Sequence, residues 1–199
     1  MAWSVAPQEG TDMSLSVNTL GEIRALVRGG FDERDDIIGI LCEEMYEPGE
    51  LDEQAVEQAV DAAFSELEHE KRQWPAVTDC DRLEQAFLAL NKRGVIALHN
   101  AGYTQDDGYA DVQEVFSEHP EQDGVSGYCF YHGQDLECVV SGGGLYLAFG
   151  PMDPVHEETE GPVVGTLIVE ELTKAGLDVQ WDGTFAHRIF IPDMDWQRR

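Results

Sequence analysis

The chain has 199 residues, of which 42% are hydrophobic, so it can bury the core of one domain and carry a helical extension. Its 40 acidic and 12 basic residues give a formal net charge of −28, which argues against direct binding to nucleic acid or to anionic membranes. No apolar run is long enough to cross a bilayer, and four scattered cysteines without a Cys-x-x-Cys pair favour reduced thiols in the cytoplasm.

The first part of the chain reads as a flexible tail, residues 1–16, followed by an acidic helical region, residues 17–74. Apolar spacing at three, four or seven residues predicts three helices in that region. They begin at Val17, Asp32 and Asp52, and they end before Gly29-Gly30, Pro48-Gly49 and Trp74-Pro75.

Acidic residues are concentrated in the segment 31–70, which holds fifteen carboxylates and a single base, Arg34. The simpler interpretation is a solvated face that keeps the protein soluble or that suits a salt-rich cytoplasm. The alternative is an acidic inhibitor, a decoy that mimics nucleic acid and docks onto a basic partner. Charge patterning alone does not choose between these two roles.

Residues 75–199 predict an α+β domain in which helices alternate with short strands. Thr78 with Asp81, and Thr104 with Asp107, have the spacing of helix-capping boxes. We expect a mixed sheet of about five strands covered by helices. The predicted strands are Val95–His99, Val125–Tyr131, Leu145–Phe149 and a hairpin from Val179 to Ile191 around Asp182-Gly183; residues 151–161 are predicted to be a loop and residues 162–175 a helix.

The junction between the second strand and the following helical turn places His132 three residues before Asp135. A carboxylate there can fix an imidazole tautomer for acid–base chemistry, so both residues are candidates for a catalytic role. Equally, Asp135 can be a helix cap and His132 a polar strand end. We assign no catalytic residue on this pattern.

The loop after the first strand of this domain is the second candidate site, because ligands often bind beyond the ends of strands. Its ligand-binding candidates are His99, Asn100, Tyr103 and Asp107. A divalent metal is possible if Asp107, Asp111 and His132 converge, although an acidic helix start has the same composition. We predict no other cofactor.

A set of short motifs resembles an uncharacterised bacterial family, DUF6891, over about three-fifths of the chain, from Trp74 to the end. The matching residues are Trp74-Pro75, Thr78-Asp79-Cys80-Asp81-Arg82-Leu83, Ala86-Phe87, Arg93-Gly94, Gly127-Tyr128, Phe130-Tyr131-His132, Gln134-Asp135, Gly142-Gly143-Gly144-Leu145-Tyr146-Leu147, Gly150, Val164-Gly165, Gly176-Leu177, Trp181-Asp182-Gly183, Arg188-Ile189 and Trp196. The resemblance brings no assigned activity. It implies that many relatives carry a Cys-Cys-x-x-Cys-Gly stretch in line with Tyr103, Thr104, Asp107 and Gly108, where this chain has no thiolate ligand.

The expected function is therefore that of a non-enzymatic cytoplasmic protein that binds a protein or small-molecule ligand at the loop after the first strand. Two alternatives stay open. One is a metal-assisted hydrolase that uses Asp107, Asp111, His132 and Asp135. The other is the acidic decoy described above, and the oligomeric state is not predicted.

Overall fold

The structure, a computed structural model, describes residues 15–118 and 124–199. Most of the predicted flexible tail, residues 1–14, lies outside the described residues, as does Pro120. The chain divides between His69 and Glu70 into two compact units, which we describe separately. The predicted α+β class is confirmed, with four strands in the described residues where the sequence predicted about five.

The first unit is helical. Its helices are α1 (Val17–Gly29), α2 (Arg34–Gly39), which continues as a π-helical turn (Ile40–Met45), and α3 (Glu53–Lys71). Helix α1 ends where Gly30 adopts a left-handed conformation (φ 75°). The buried apolar residues of this unit include Ile23, Val27, Ile37, Leu41, Val56 and Val60.

The predicted cap of α3 is confirmed, whereas the predicted cap of α2 is wrong by one residue. Asp52 Oδ1 accepts hydrogen bonds from the backbone N–H groups of Gln54 and Ala55, at 3.0 and 3.4 Å. Helix α2 starts after Glu33 rather than Asp32, because the Glu33 N–H donates to Asp36 Oδ2 at 3.3 Å in a capping box.

The second unit is built on one mixed sheet. Its elements are α4 (Asp79–Lys92), β1 (Val95–Leu98), α5 (Gln105–Glu118), β2 (Gly127–Phe130), α6 (Gly133–Val140), β3 (Leu145–Pro151), a 3₁₀ turn (Pro154–His156), α7 (Glu157–Ala175) and β4 (Ile189–Ile191). The strand order is β1-β2-β3-β4. β1 and β2 are parallel, with Leu98 opposite Phe130, and the other two pairs are antiparallel.

Helices cover both faces of the sheet. On one face, Val112 of α5 packs with Tyr128 and Phe130 of β2. Gly127 precedes Tyr128 and therefore faces the other way, where a Cβ would lie 2.7 Å from the Val164 side chain of α7. Helix α4 packs beside α7 and against β1. The sheet is thus buried between α5 and the α4–α7 pair, and its strand ends are the places where polar side chains can gather.

Two predictions in the second unit need correction. The hairpin from Val179 to Ile191 is reduced to a bridge between Gln180 and Phe190, and β4 pairs with β3 instead. Asp182 Oδ1 accepts from Thr184 N at 2.9 Å, and Trp181 Nε1 donates to the Thr184 carbonyl at 2.9 Å. These bonds fold residues 181–188 into a compact loop, because they engage backbone groups that a hairpin would pair across two strands.

The predicted loop 151–161 is largely helical. Asp153 Oδ1 accepts from Val155 N at 3.0 Å and caps the 3₁₀ turn, and α7 then begins at Glu157. Glutamates at positions 157, 158 and 160 favour a helix start there, because carboxylates stabilise the positive end of the helix dipole. Pro162 therefore lies inside α7 and does not start it.

Candidate functional site

The carboxyl ends of the parallel strands β1 and β2 form the candidate site. The loop after β1 runs along the chain after β2, tied to it by three backbone hydrogen bonds: Ala101 N to Tyr131 O at 2.9 Å, Gly133 N to Gly102 O at 2.9 Å and Gln134 N to Tyr103 O at 3.2 Å. We call residues 99–104 and 131–135, together with Arg188, the corner. The loop after β1 and the His132–Asp135 junction are therefore brought together.

His132 lies at the centre of the corner, with 6% of its side chain exposed. Its Nε2 is 3.1 Å from Asp135 Oδ2, and its backbone N–H donates to the same oxygen at 3.3 Å. Burial lowers the pKa of the imidazole, although the Asp135 carboxylate raises it. The predicted N-cap role of Asp135 is corrected, because His132 is the N-cap residue of α6 and Asp135, at the third helical position, accepts from the His132 N–H. The same carboxylate also contacts the histidine ring.

Arg188 completes this group. Its Nη1 and Nη2 donate to Asp135 Oδ1 and Oδ2 at 3.0 and 2.5 Å, and Nη2 also reaches the Tyr146 carbonyl at 3.2 Å. The guanidinium lies 5.7 Å from the centre of the Tyr146 ring. Sequence reasoning gave Arg188 no role, and its only signal was its place among the residues that resemble DUF6891.

His99 occupies the neighbouring strand end and faces α4. Its Nδ1 is 3.1 Å from Tyr131 Oη, and its ring stacks on Phe87 with centroids 4.4 Å apart. Nε2 lies 3.1 Å from Glu84 Oε2 but is not aligned for a hydrogen bond. Burial lowers the pKa of His99 to about 4, against the raising effect of Glu84, so the ring is uncharged at neutral pH.

Four buried side-chain atoms in the described residues have no hydrogen-bond partner, and all four belong to the corner. They are His99 Nε2, Asn100 Oδ1, His132 Nδ1 and Arg188 Nε. Asn100 has a left-handed backbone conformation (φ 47°), which turns the chain away from β1. Because an unpaired buried polar atom costs about 1–3 kcal/mol, a concentration of four at one place requires an explanation.

Tyr103 and Asp107 lie at the outer edge of the corner. The Tyr103 ring rests on Gly133, where a Cβ would lie 2.7 Å from Tyr103 Cδ2, and 56% of the residue is exposed. Its hydroxyl donates to Glu137 Oε1 at 3.2 Å. Asp107 caps α5 as predicted, since its carboxylate accepts from Thr104 N and Oγ1 at 2.9 and 2.8 Å. These bonds lower the pKa of Asp107.

Of the predicted metal ligands, Asp107 and His132 interact electrostatically: each shifts the pKa of the other, His132 lowering that of Asp107 and Asp107 raising that of His132. Over residues 15–118 and 124–199, no three His, Cys, Asp or Glu side chains are grouped so that they can hold a metal ion. Asp107 is already engaged in its cap, and Asp111 lies one turn further along α5. The soft ligands that the resemblance implies for relatives are replaced here by Tyr103, Thr104 and Asp107.

The buried thiols of the second unit are held in their protonated form. Burial raises the pKa of Cys80 to about 12 and also raises the pKa of Cys129. A thiol in that state is a poor nucleophile. The corner therefore offers positioned polar atoms rather than an activated cysteine.

One open groove of about 370 Å³ is separate from the corner. It is lined by α7 residues between Thr166 and Lys174 and by Trp181, and it shares no residue with the corner. Along the described parts of the chain, no helix has both the length and the apolar character needed to cross a bilayer.

Comparison with known proteins gives one match. A family model described as a domain of unknown function (DUF6891) matches residues 14–199, so it covers the helical first unit as well as the segment from Trp74 onward. No curated protein and no solved structure matches the chain.

Proposed function

The chain belongs to the DUF6891 family, and from the geometry of the corner we propose that it is a non-enzymatic cytoplasmic protein that binds a small polar ligand at the ends of β1 and β2. The observation that carries this proposal is the concentration of buried, unpaired polar atoms at that place. A ligand that supplied their missing hydrogen bonds would recover the free energy that they cost in the unliganded protein.

The position of these atoms supports a binding role. Loops that follow adjacent parallel strands meet at one edge of a sheet, and such edges commonly hold ligands. Here the 99–104 loop is held by backbone hydrogen bonds against the segment that follows β2, so its side chains are positioned before any ligand arrives. A site held in place in this way loses less entropy on binding.

The chemistry of the corner supports binding rather than catalysis. Both oxygens of Asp135 are engaged by Arg188, and one of them also contacts His132, so the carboxylate is committed to contacts within the protein. The buried thiols of Cys80 and Cys129 are protonated at neutral pH. All four cysteines are free, which is consistent with a reducing compartment such as the cytoplasm.

The test is a thermal-shift and NMR titration of the full chain with acetamide, uracil, acetate, inorganic phosphate and ethylammonium. We expect at least one compound to raise Tm and to shift the amide signals of Gly102 and Gly133. Asn100→Gly should abolish the effect, because it removes Oδ1 while keeping the left-handed backbone accessible.

The matched control is His156→Asn. His156 lies three residues after Asp153 and its Nδ1 is 3.1 Å from Asp153 Oδ2, as in the His132–Asp135 contact, but this pair is exposed. Binding should be unchanged in this variant. The proposal is wrong if none of the five compounds binds, or if binding is equal in wild type and Asn100→Gly.

A further inference from the structure

The charges of the corner offset one another. Arg188 and Asp135 form a bidentate pair whose side chains are 30% and 7% exposed, so the two charges largely neutralise each other. The two histidines are uncharged at neutral pH because both are buried. An anion would therefore find no free cation in the corner, and a cation would find no free carboxylate.

The charged groups at the outer edge of the corner, which we call the rim, also disfavour the binding of ions. Asp107 and Glu137 lie at the outer edge, and the charged neighbours of His99 are Glu84 and Arg198, so carboxylates outnumber the cation there. These carboxylates and the overall charge of −28 repel anions. A cation is attracted to the rim, but it would have to leave those exposed carboxylates and lose water in order to reach the buried atoms.

The unpaired atoms include both donors and acceptors. His132 Nε2 faces a carboxylate oxygen, which can only accept, so Nε2 carries the proton and Nδ1 presents a lone pair. The negative charge of Glu84, whose Oε2 is 3.1 Å away, favours the proton of His99 on Nε2, but the geometry leaves that N–H without an aligned acceptor. Arg188 Nε is a donor, and Asn100 Oδ1 is an acceptor. The corner therefore presents two donors and two acceptors.

Two partly exposed aromatic rings lie against residues of the corner. Tyr103 lies on Gly133 with 56% of the residue exposed, and Tyr146, 39% exposed, adjoins Arg188 and stacks on Phe190. Rings in such positions can pack against a flat ligand. The two rings therefore give the corner a preference for planar ligands, in addition to the preference set by its hydrogen-bond donors and acceptors.

On these grounds we infer that the corner selects an uncharged, planar ligand that carries a hydrogen-bond donor beside an acceptor, as a primary carboxamide does. The inference rests on the proposed binding function and names its ligand class. A carboxamide supplies an N–H for the acceptors and a carbonyl oxygen for the donors, with no charge to desolvate.

The test uses three probes of nearly the same shape and different charge: benzamide (neutral), benzoate (anionic) and benzamidinium (cationic). They are titrated into the full chain at pH 7, with binding followed by calorimetry and by amide NMR shifts. We expect benzamide to bind at least about tenfold more tightly than either ion, and Asn100→Gly to remove that binding. His156→Asn is again the control.

A charge variant tests the electrostatic part of the argument. Asp135→Asn leaves the Arg188 charge without its partner, so benzoate should become the preferred probe in a variant whose circular dichroism shows that it is folded. If a folded Asp135→Asn protein still prefers benzamide, the electrostatic argument fails. The titrations of the wild-type protein decide the inference even if this variant does not fold.

The remaining outcomes separate the inference from the proposed function. Equal or tighter binding of benzoate or benzamidinium to the wild-type protein, lost in Asn100→Gly, overturns the ligand class and leaves the binding function intact. Benzamide binding that survives Asn100→Gly overturns the location. If none of the three probes binds while a compound of the earlier panel does, the ligand class is overturned and the binding function stands. If none of the five compounds of the earlier panel binds, both the function and the ligand class are overturned.

Discussion

At the scale of single residues, the Asp135–Arg188 pair is the bidentate ion pair of the corner. Asp135 is 7% exposed, and its two oxygens accept from Arg188, while one also contacts His132. A buried carboxylate is tolerated only when it is paired, so the stability of this region depends on an arginine far away in sequence.

Arg188→Met should lower the free energy of unfolding by about 3 kcal/mol, because it leaves the Asp135 carboxylate buried without its partner. Urea denaturation measures the change. Arg34→Met is the matched control, since Arg34 and Asp61 form an exposed pair with 40% and 57% of their side chains accessible. That control should change stability little. If both variants lost the same free energy of unfolding, burial of the Asp135–Arg188 pair would not explain its effect on stability.

His99 makes stability depend on pH. The unfolded chain binds a proton at His99 near pH 6.5, whereas burial holds the folded pKa at about 4, with Glu84 and Arg198 as the charged neighbours. Between those values the unfolded state binds more protons. The contribution of His99 to the free energy of unfolding is therefore complete above about pH 6.5. It is lost as the pH falls toward 4, by on the order of 3 kcal/mol.

The check is the unfolding free energy measured from pH 7 to pH 4 in wild type and in His99→Phe. The variant should show a shallower loss over this range, because phenylalanine does not titrate. His156→Asn, which changes an exposed histidine, should follow the wild-type curve. A His99→Phe curve parallel to that of wild type would show that His99 is not a buried neutral base.

At the scale of elements, helix starts are set locally and helix positions on the sheet are set by close contacts. Thr78 with Asp81, and Thr104 with Asp107, form their capping boxes from residues three apart. In contrast, α5 approaches the sheet closely only because Gly108 has no side chain. A Cβ at Gly108 would lie 2.3 Å from Phe130 Cε2.

A glycine-to-alanine substitution should therefore have opposite effects on stability in two of the helices. Gly108→Ala should destabilise the protein by about 2 kcal/mol, because α5 must move away from Phe130. Gly21→Ala, in α1, meets no atom within 4 Å and should stabilise the protein by up to about 1 kcal/mol through helix propensity. Thermal or urea unfolding of both variants gives the comparison, and two changes of the same sign would contradict it.

At the scale of the whole molecule, the charge of −28 acts on stability through self-repulsion. Exposed carboxylates repel one another over distances that salt shortens to about 8 Å at physiological ionic strength. The segment 31–70 contributes half of this charge, and no observation here favours its role as a decoy over that of a solvated face.

Added salt should therefore raise Tm by a few degrees between low and high NaCl concentration, because screening reduces the repulsion between carboxylates. Calorimetry at constant pH measures the shift. The loss of stability in Arg188→Met should stay nearly the same across this range, since Asp135 is shielded from solvent ions. A fall in wild-type Tm with salt would indicate that surface ion pairs outweigh the repulsion.

The sequence by itself determined those features that depend on residues close together in the chain. The start of α3 at Asp52, the capping boxes of α4 and α5, and Asp135 at the start of α6 follow from side chains that bond backbone groups within three residues. The α+β class follows from the alternating periodicity. These signals are local, so no knowledge of the chain path is needed to read them.

Only the tertiary structure decided which distant residues meet. Arg188 reaches Asp135 across 53 positions, and β4 pairs with β3 rather than completing a hairpin. Asp107 interacts electrostatically with His132, but the described residues do not form a group of three possible metal ligands. Each outcome depends on where the sheet places the ends of its strands. It also depends on which polar groups are buried away from water and must find a partner in the protein. No spacing rule in the sequence carries that information, because such contacts are selected by the free energy of the whole fold.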